Sequence, residues 1–149
     1  MAYQVGIDLG ETFTSAAVAE SERAELVPLA EDSPFVPTVS GFSPNGELLV
    51  GDAAARMRSA QVARRFLRRV GDDTPLRLGG VPVTAAALTA RFVAVIVAEV
   101  AAGRGGERPS AVAVTHPAGW GGYRVTALRS ALAAENLTGA VLLSTAPVR

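Results

Sequence analysis

The sequence contains no cysteine, no lysine and a single histidine, and each absence excludes a kind of site. Without cysteine, the chain has no disulfides, no thiolate metal ligands and no cysteine nucleophile. A histidine-rich zinc site is excluded, and a Ser-His-Asp triad would depend on His116 alone. The 14 basic residues, all arginine, balance 14 acidic ones, so the net charge of zero argues against bulk attraction to nucleic acid or membrane.

The length of 149 residues, with 49% hydrophobic and 19% charged residues, predicts one ordered domain with a buried core. The N-terminus has no basic region ahead of an apolar stretch, so we expect no signal peptide. Arg91 and Glu99 interrupt the most apolar window, residues 85–102, which predicts a core helix and no membrane span. We therefore expect a cytoplasmic protein without a membrane partner.

Alternating hydrophobicity predicts strands at the beginning of the chain. Tyr3, Val5, Ile7 and Leu9 share one face, and Gly10 ends the run before a second strand over residues 12–19. The same reasoning predicts strands at 24–29, 38–43, 47–50, 75–78, 81–83 and 111–115, a loop at 34–37, and a final buried strand at 140–143.

Helical spacing begins in the middle of the chain. Asp52 is a favourable N-cap for a first helix, and an i, i+4 stripe of Val62, Phe66 and Val70 predicts a second. The other predicted helices are 85–102, capped by Thr84 and ended by Gly103, and 123–135, with Leu128 and Leu132 on one side. Strands followed by alternating helices and strands predict an α/β fold with a mixed sheet.

The segment VGIDLGETFTS, residues 5–15, carries the pattern that is most informative about function. Gly10 allows the backbone to approach an anion, and the turn N–H groups of Glu11, Thr12 and Phe13 can point at phosphate oxygens. Asp8 can hold hydrated Mg²⁺, which prefers one or two carboxylates plus waters. An ordinary β-hairpin with a polar turn explains the same spacing, so the pattern alone leaves both interpretations open.

The motif GIDLGETFTS resembles the first phosphate motif of the DnaK-type heat-shock chaperones, usually G-I-D-L-G-T-T-x-S, within the actin-like ATPase superfamily. Three later segments resemble family motifs in the same order. They are VPTVSGFSPNGELLVGDAAARMR, FLRRVGD and AVAVTHPAGWGGYRVTALRSALAAENL. Together the four motifs span nearly the whole chain.

The resemblance implies an actin-like (ribonuclease-H-like) α/β lobe with an inserted smaller subdomain. Residues 1–36 and 110–149 would form the core subdomain, and residues 37–109 the insertion. The family hydrolyses ATP with Mg²⁺, so ATP or ADP and Mg²⁺ are the implied cofactors. The family grips nucleotide between two lobes, and the chain resembles only the first. We therefore expect an excised part of a longer protein, inactive as an ATPase by itself.

Family roles carry over to several positions. Asp8, Gly10 and Thr12 fall where the family meets Mg²⁺ waters and phosphates. The family's catalytic lysine maps onto Arg68, or onto Arg65 if the alignment gap lies elsewhere. The resemblance also places Pro117 and Arg124 on the relay that joins the nucleotide site to a partner domain.

The sequence departs from the family pattern in three places. Glu11 replaces a threonine beside the phosphates, where a carboxylate would repel a polyanion. Arginine replaces lysine at the catalytic position and keeps the charge but not the compact ammonium. Thr145 or Ala146 stands where the relay has a glutamate. These departures favour an alternative, a degenerate pseudo-ATPase that serves as a binding or regulatory module, with a protein as its partner.

Other residues allow further interpretations. A third possible function is an arginine-rich module that binds anions or nucleic acid, although a solvated helix face explains the arginine run better. The run consists of Arg56, Arg58, Arg64, Arg65, Arg68 and Arg69. His116 is expected in a packing or hydrogen-bonded role, and Trp120 as a core anchor. Asp72 and Asp73 are expected in a turn that ends a helix, without a metal.

Overall fold

A computed structural model describes residues 2–145 of the chain. The strands are β1 (Gln4–Leu9), β2 (Phe13–Glu20), β3 (Arg23–Leu26), β4 (Phe35–Pro37), β5 (Val39–Phe42), β6 (Leu48–Val50), β7 (Val62–Arg64), β8 (Leu76–Leu78), β9 (Val81–Val83), β10 (Ala111–His116) and β11 (Val141–Ser144). The helices are α1 (Asp52–Ala55), α2 (Ala85–Ala102) and α3 (Gly122–Ala134), with 3₁₀ turns at Ser59–Gln61 and Phe66–Arg69.

The main sheet has six strands, in the order β11-β10-β1-β2-β3 with β4 also paired to β2. β1 runs parallel to β10, and β10 runs parallel to β11, whereas the pairs that involve β2 are antiparallel. Parallel pairs require long crossovers, and here the crossovers carry α2 and α3. The predicted α/β fold with a mixed sheet is confirmed.

Alternation along β1 decides which face of the main sheet is covered. Tyr3, Val5, Ile7 and Leu9 are almost completely buried in one apolar cluster with side chains of α2 and α3. The side chains between them, including Asp8, lie on the other, exposed face. The sheet therefore has one face for the core and one on which a charged group is hydrated.

Helix α2 has the bounds that its sequence predicts. The Thr84 hydroxyl accepts a hydrogen bond from the amide of Ala87 at 3.2 Å, and Gly103 follows the last turn. Leu88, Phe92 and other side chains of one stripe pack in the core. By length and composition α2 could cross a membrane, as could many core helices, and 56% of it is buried inside the protein.

Residues 39–83 form two smaller sheets. β5 pairs with β6 and β7, and β8 pairs with β9 in a hairpin. The hairpins predicted around residues 45–46 and 79–80 are confirmed. Helix α2 contacts α3 and also the 3₁₀ turn Phe66–Arg69, so it links the small sheets to the main one. The proposed division at residues 36 and 109 stays a prediction.

The helix predicted from the stripe of Val62, Phe66 and Val70 is wrong. Val62 lies in β7 and Phe66 begins a 3₁₀ turn, and between them Arg65 has a left-handed backbone with φ of 54°. Phe66 and Val70 are nevertheless fully buried. The stripe identifies core residues correctly, but an α-helix cannot pass through a left-handed residue.

Three other local predictions need correction. The first helix, α1, has only four residues, and its N-cap is Gly51, since Asp52 is already helical and makes no capping bond. The loop predicted around residues 34–37 contains β4. The last strand, β11, is not buried, since Val141 and Leu143 are about half exposed. Among the residues that the structure describes, no helix covers the face of β11 that carries Val141 and Leu143.

Candidate functional site

Asp8 lies at the carboxyl end of β1, on the exposed face of the main sheet. Thr115, at the end of the neighbouring β10, fixes its position through one hydroxyl group. That hydroxyl accepts a hydrogen bond from the amide of Leu9 at 3.0 Å and donates one to Asp8 Oδ1 at 3.2 Å. The second carboxylate oxygen of Asp8 has no hydrogen-bond partner among residues 2–145 and faces solvent.

The turn between β1 and β2 is tight, and Gly10 is required there. A Cβ atom on Gly10 would lie 2.4 Å from the carbonyl oxygen of Phe13, which is closer than non-bonded atoms approach. Any other residue would therefore force the turn open.

Buried Thr38 fixes this turn through hydrogen bonds. Its hydroxyl donates to the carbonyl of Gly10 at 2.7 Å and lies 2.8 Å from the hydroxyl of Thr14, and its amide donates to the carbonyl of Thr12 at 2.9 Å. The carbonyls of Gly10 and Thr12 therefore both have hydrogen-bond partners. In contrast, the amides of Glu11 and Thr12 donate to no other residue in the described part of the chain. Two unpaired N–H donors next to a glycine are groups that can bind an anion.

Arg68 reaches this turn from the 3₁₀ turn Phe66–Arg69. Its Nε donates to Glu11 Oε1 at 2.8 Å, across 57 residues of sequence. The hydrogen bond and the charge of Glu11 raise the pKa of the Arg68 guanidinium above its usual value. Of the two arginines that could match the family's lysine, Arg68 lies at the turn, whereas Arg65 makes no ion pair with any described residue.

The two residues expected in the relay lie on the segment after β10. The carbonyl of Pro117 accepts a hydrogen bond from the amide of Trp120 at 3.1 Å and lies 3.0 Å from His116 Nδ1. Arg124 is exposed on α3 and packs near Gly71, where a Cβ would lie 3.2 Å from Arg124 Cγ. The relay role of both residues stays a prediction.

No carboxylate follows β11 where the relay glutamate is expected. Thr145 stands there, and its amide donates to the carbonyl of His116 at 3.0 Å. Ala146, the alternative position for that glutamate, lies outside the described residues.

His116 and Trp120 form a stacked pair at the end of β10. Their ring centroids are 5.6 Å apart and the ring planes differ by 11°. His116 is buried, as its expected packing role requires. Trp120 is partly buried and packs on the edge of the core, so the expectation that it is a core anchor is met only in part.

The arginine run does not lie on one helix face, contrary to expectation. Its members are distributed over the end of α1, β7 and the 3₁₀ turn Phe66–Arg69, and all except Arg69 are exposed. Arg69 donates a hydrogen bond to Asp72 at 3.4 Å, and the Asp72 carboxylate also accepts one from the amide of Thr74. The bond from Thr74 and the charge of Arg69 lower the pKa of Asp72. This acid therefore stabilises a turn.

The sequence predicts Asp8, Gly10 and Arg68 as site residues, and their roles stay predictions. Sequence reasoning missed the two threonines that bond to Asp8 and to the carbonyl of Gly10. Thr115 belongs to β10 and Thr38 lies between β4 and β5. Only the pairing of β1 with β10 and the hydrogen bond to Gly10 bring them to the site. The register offers a signal for Thr115, since the pairing of Ile7 with Val114 places Asp8 beside it.

Comparison with known proteins supports the resemblance noted in the motifs. Residues 4–69 match the family model described as Hsp70 protein. The chain is 37% identical over 97 residues to the chaperone protein DnaK of Elusimicrobium minutum, which covers 60% of this chain and 16% of that protein. It is 32% identical over 120 residues to the chaperone proteins DnaK of Thermotoga neapolitana and Thermotoga petrophila. Each of these alignments covers 78% of this chain and 20% of the relative.

The chain spans about a fifth of the length of the curated relatives that it matches. The region that matches the family model includes the turn after β1, Thr38 and Arg68. The mixed sheet described above is consistent with an Hsp70 or actin-like ATPase lobe. The chain is therefore similar to the N-terminal part of the ATPase lobe of DnaK-type Hsp70 proteins.

Proposed function

We propose that this chain provides the first phosphate-binding turn of a DnaK-type ATPase and needs a second lobe to hold nucleotide. The observation that carries the proposal is the pair of unpaired amides of Glu11 and Thr12 on a turn that Gly10 and Thr38 hold fixed. Preorganised N–H groups of this kind stabilise phosphate oxygens, because they need no rearrangement when the anion arrives.

The residues at the site fit a hydrated magnesium ion. Asp8 offers one free, exposed carboxylate oxygen, and Thr115 fixes the other. Within residues 2–145 there is no group of three or more histidine, cysteine, aspartate or glutamate side chains that could hold a metal tightly. Mg²⁺ does not need such a group, since it retains waters and binds through one or two carboxylates and substrate phosphates.

Each residue would have a separate task in ATP hydrolysis. The amides of Glu11 and Thr12 would bind phosphate oxygens, and Asp8 would hold waters of Mg²⁺, which supplies charge neutralisation when bound. Arg68 would stabilise the charge that develops on the transferred phosphoryl group. Placement and electrostatics supply most of the catalysis in this reaction, so the positions of Asp8 and Arg68 matter more than their acid–base properties.

A second candidate function is a pseudo-ATPase, a module that binds a protein partner without hydrolysing ATP. The specific observation in its favour is that Arg68 is already paired with Glu11. The name of the relatives, chaperone protein DnaK, supports a chaperone-related role for either candidate. A cytoplasmic location belongs to the same proposal.

A chimera tests the proposed function. The chain would replace the matching N-terminal segment of the Thermotoga neapolitana chaperone protein DnaK, and calorimetry would measure the affinity for ADP with Mg²⁺. We expect measurable binding that Asp8→Asn weakens about tenfold or more, while Asp32→Asn, in an exposed loop, has no effect. Without the second lobe, we expect the 149-residue chain to bind weakly or not at all.

The result separates the candidates. A chimera that binds ADP and hydrolyses ATP supports the ATPase, and one that binds without hydrolysis supports the pseudo-ATPase. A chimera that folds but binds no nucleotide contradicts the proposal. Micromolar binding by the 149-residue chain would show that a second lobe is not needed.

A further inference from the structure

The pair formed by Glu11 and Arg68 connects the turn of the main sheet to the region of small sheets. Glu11 lies between β1 and β2, and Arg68 lies in the 3₁₀ turn Phe66–Arg69. The backbone around Arg68 is anchored because its neighbours Phe66, Leu67 and Val70 are completely buried. The guanidinium therefore extends from a fixed backbone, and the carboxylate that it bonds belongs to a residue whose own amide is unpaired.

The position of the Glu11 carboxylate on Arg68 is one that a phosphate would take. Carboxylate and phosphate are the two oxyanions for which a guanidinium has matching donors, and arginine stays charged at all relevant pH values. A carboxylate from the same chain has no translational entropy to lose when it binds, so it competes efficiently with a ligand in solution.

We propose that Glu11 is a specificity-determining residue that acts as an internal competitor for the anion site. Its carboxylate holds Arg68 until a phosphate-bearing ligand displaces it. This inference rests on the proposed anion-binding role of the turn, and it identifies Glu11 as the group that limits the affinity for the anion. Displacement is reversible, because the side chains of Arg68 and Glu11 are 58% and 38% exposed and the released carboxylate is hydrated at once.

Competition and simple repulsion predict different behaviour when Arg68 is removed. If Glu11 only repels an anion, its neutralisation improves binding whether or not Arg68 is present. If Glu11 occupies Arg68, the improvement depends on Arg68, since without it the carboxylate blocks nothing. A double-mutant cycle on the two positions distinguishes these cases.

The experiment is a calorimetric titration of the 149-residue chain with pyrophosphate, for the parent, Glu11→Gln, Arg68→Gln and the double variant. We expect Glu11→Gln to bind pyrophosphate about fivefold tighter than the parent, the change that release of an exposed ion pair allows. In the Arg68→Gln background, we expect Glu11→Gln to change the affinity by less than about twofold.

Glu20→Gln is the matched control, because the Glu20 carboxylate pairs with Arg104 at the other end of β2. We expect it to leave pyrophosphate affinity unchanged. Circular dichroism of every variant checks that the fold is retained.

Four results would overturn the proposal: equal or weaker binding by Glu11→Gln, no detectable binding by that variant, an equal gain in Glu20→Gln, or a full gain without Arg68. Pyrophosphate has no adenosine, so its binding by this chain tests the turn and Arg68 and does not test an adenosine pocket. Tighter binding by Glu11→Gln together with a chimera that binds no ADP would support this inference and contradict the proposed nucleotide function.

Discussion

The two faces of the main sheet differ in almost every respect, although they are built from the same strands. On the covered face, the side chains of β1 are large and apolar, and α2 and α3 pack over them. On the open face, Gly6, Asp8, Ala17 and Ala113 line a shallow depression of about 300 Å³, to which Leu26 and Leu143 also contribute. Side chains one residue apart therefore belong to different environments.

This difference separates stability from chemistry. Burial of the large side chains on the covered face supplies the hydrophobic free energy of folding. The open face contributes little to that free energy, so it can present a charged residue such as Asp8 at the end of a strand without a desolvation cost. Substitutions on the two faces should therefore affect different measurements.

The largest effect is expected for Phe92→Ala in α2, a helix that packs over the covered face. Phe92 is completely buried and meets the ring of Phe66 edge-on at a centroid distance of 5.7 Å. We expect a loss of about 3–5 kcal/mol in the free energy of unfolding, measured by urea denaturation with circular dichroism. Leu143→Ala on the open face should cost less than about 1 kcal/mol, since half of that side chain is exposed already. Similar costs for the two variants would contradict the comparison.

An intermediate effect is expected for Trp120→Ala, at the edge of the covered face. Trp120 is partly buried and stacked on His116, so its removal should lower the free energy of unfolding by about 2 kcal/mol. Trp120→Phe keeps an aromatic ring for the stack and should lose about half as much. A fluorescence maximum typical of fully hydrated tryptophan in the folded parent would contradict the stacked arrangement.

The smallest effect, of opposite sign, is expected for Gly6→Ala on the open face. No atom lies within 4 Å of a Cβ built on Gly6, so alanine should stabilise the chain by about 0.5 kcal/mol by restricting the unfolded state. Gly10→Ala is the contrast, because its Cβ meets the carbonyl of Phe13 and should cost about 1–3 kcal/mol. Thermal unfolding of the two variants measures both signs. A destabilising Gly6→Ala would mean that the face is not open in solution.

The parts of the fold with a complete local signal could be predicted from the sequence. Helix α2 has a capping threonine, a continuous apolar stripe and a terminal glycine, and its predicted bounds are those of the structure. The alternation in β1 also predicts which side chains are buried. In both elements, the local conformation and the tertiary environment favour the same structure.

Prediction failed where the local sequence pattern and the tertiary environment favour different structures. The stripe of Val62, Phe66 and Val70 has helical spacing, but the left-handed Arg65 between them turns the chain from β7 into the 3₁₀ turn Phe66–Arg69. Apolar spacing reports which residues are buried, and several backbone conformations can bury the same set. The prediction that the last strand is buried failed for a related reason, because a strand such as β11 can be apolar and still be half exposed.

The motifs predict a chemistry for the site, which stays a prediction, but they could not predict the geometry of the site. Asp8 and Gly10 are adjacent in sequence to the turn that they serve. Thr38 and Thr115 come from distant segments, and the partner of Glu11 is 57 residues away. The expected repulsion by Glu11 considered that residue alone, whereas the structure gives its charge a partner in Arg68.

The parallel pairing of β1 with β10 has a consequence for the order in which the chain is made. Gln4 pairs with Ala111, so one edge of the central strand has no partner until β10 has been translated. At about 5–20 residues per second, the ribosome needs roughly 5–20 seconds to add the residues that separate the two strands. During that interval, the β1–β2 hairpin presents an open hydrogen-bonding edge and an uncovered apolar face to other nascent chains. The strand at the centre of the described sheet thus emerges well before the partner that protects its open edge from aggregation.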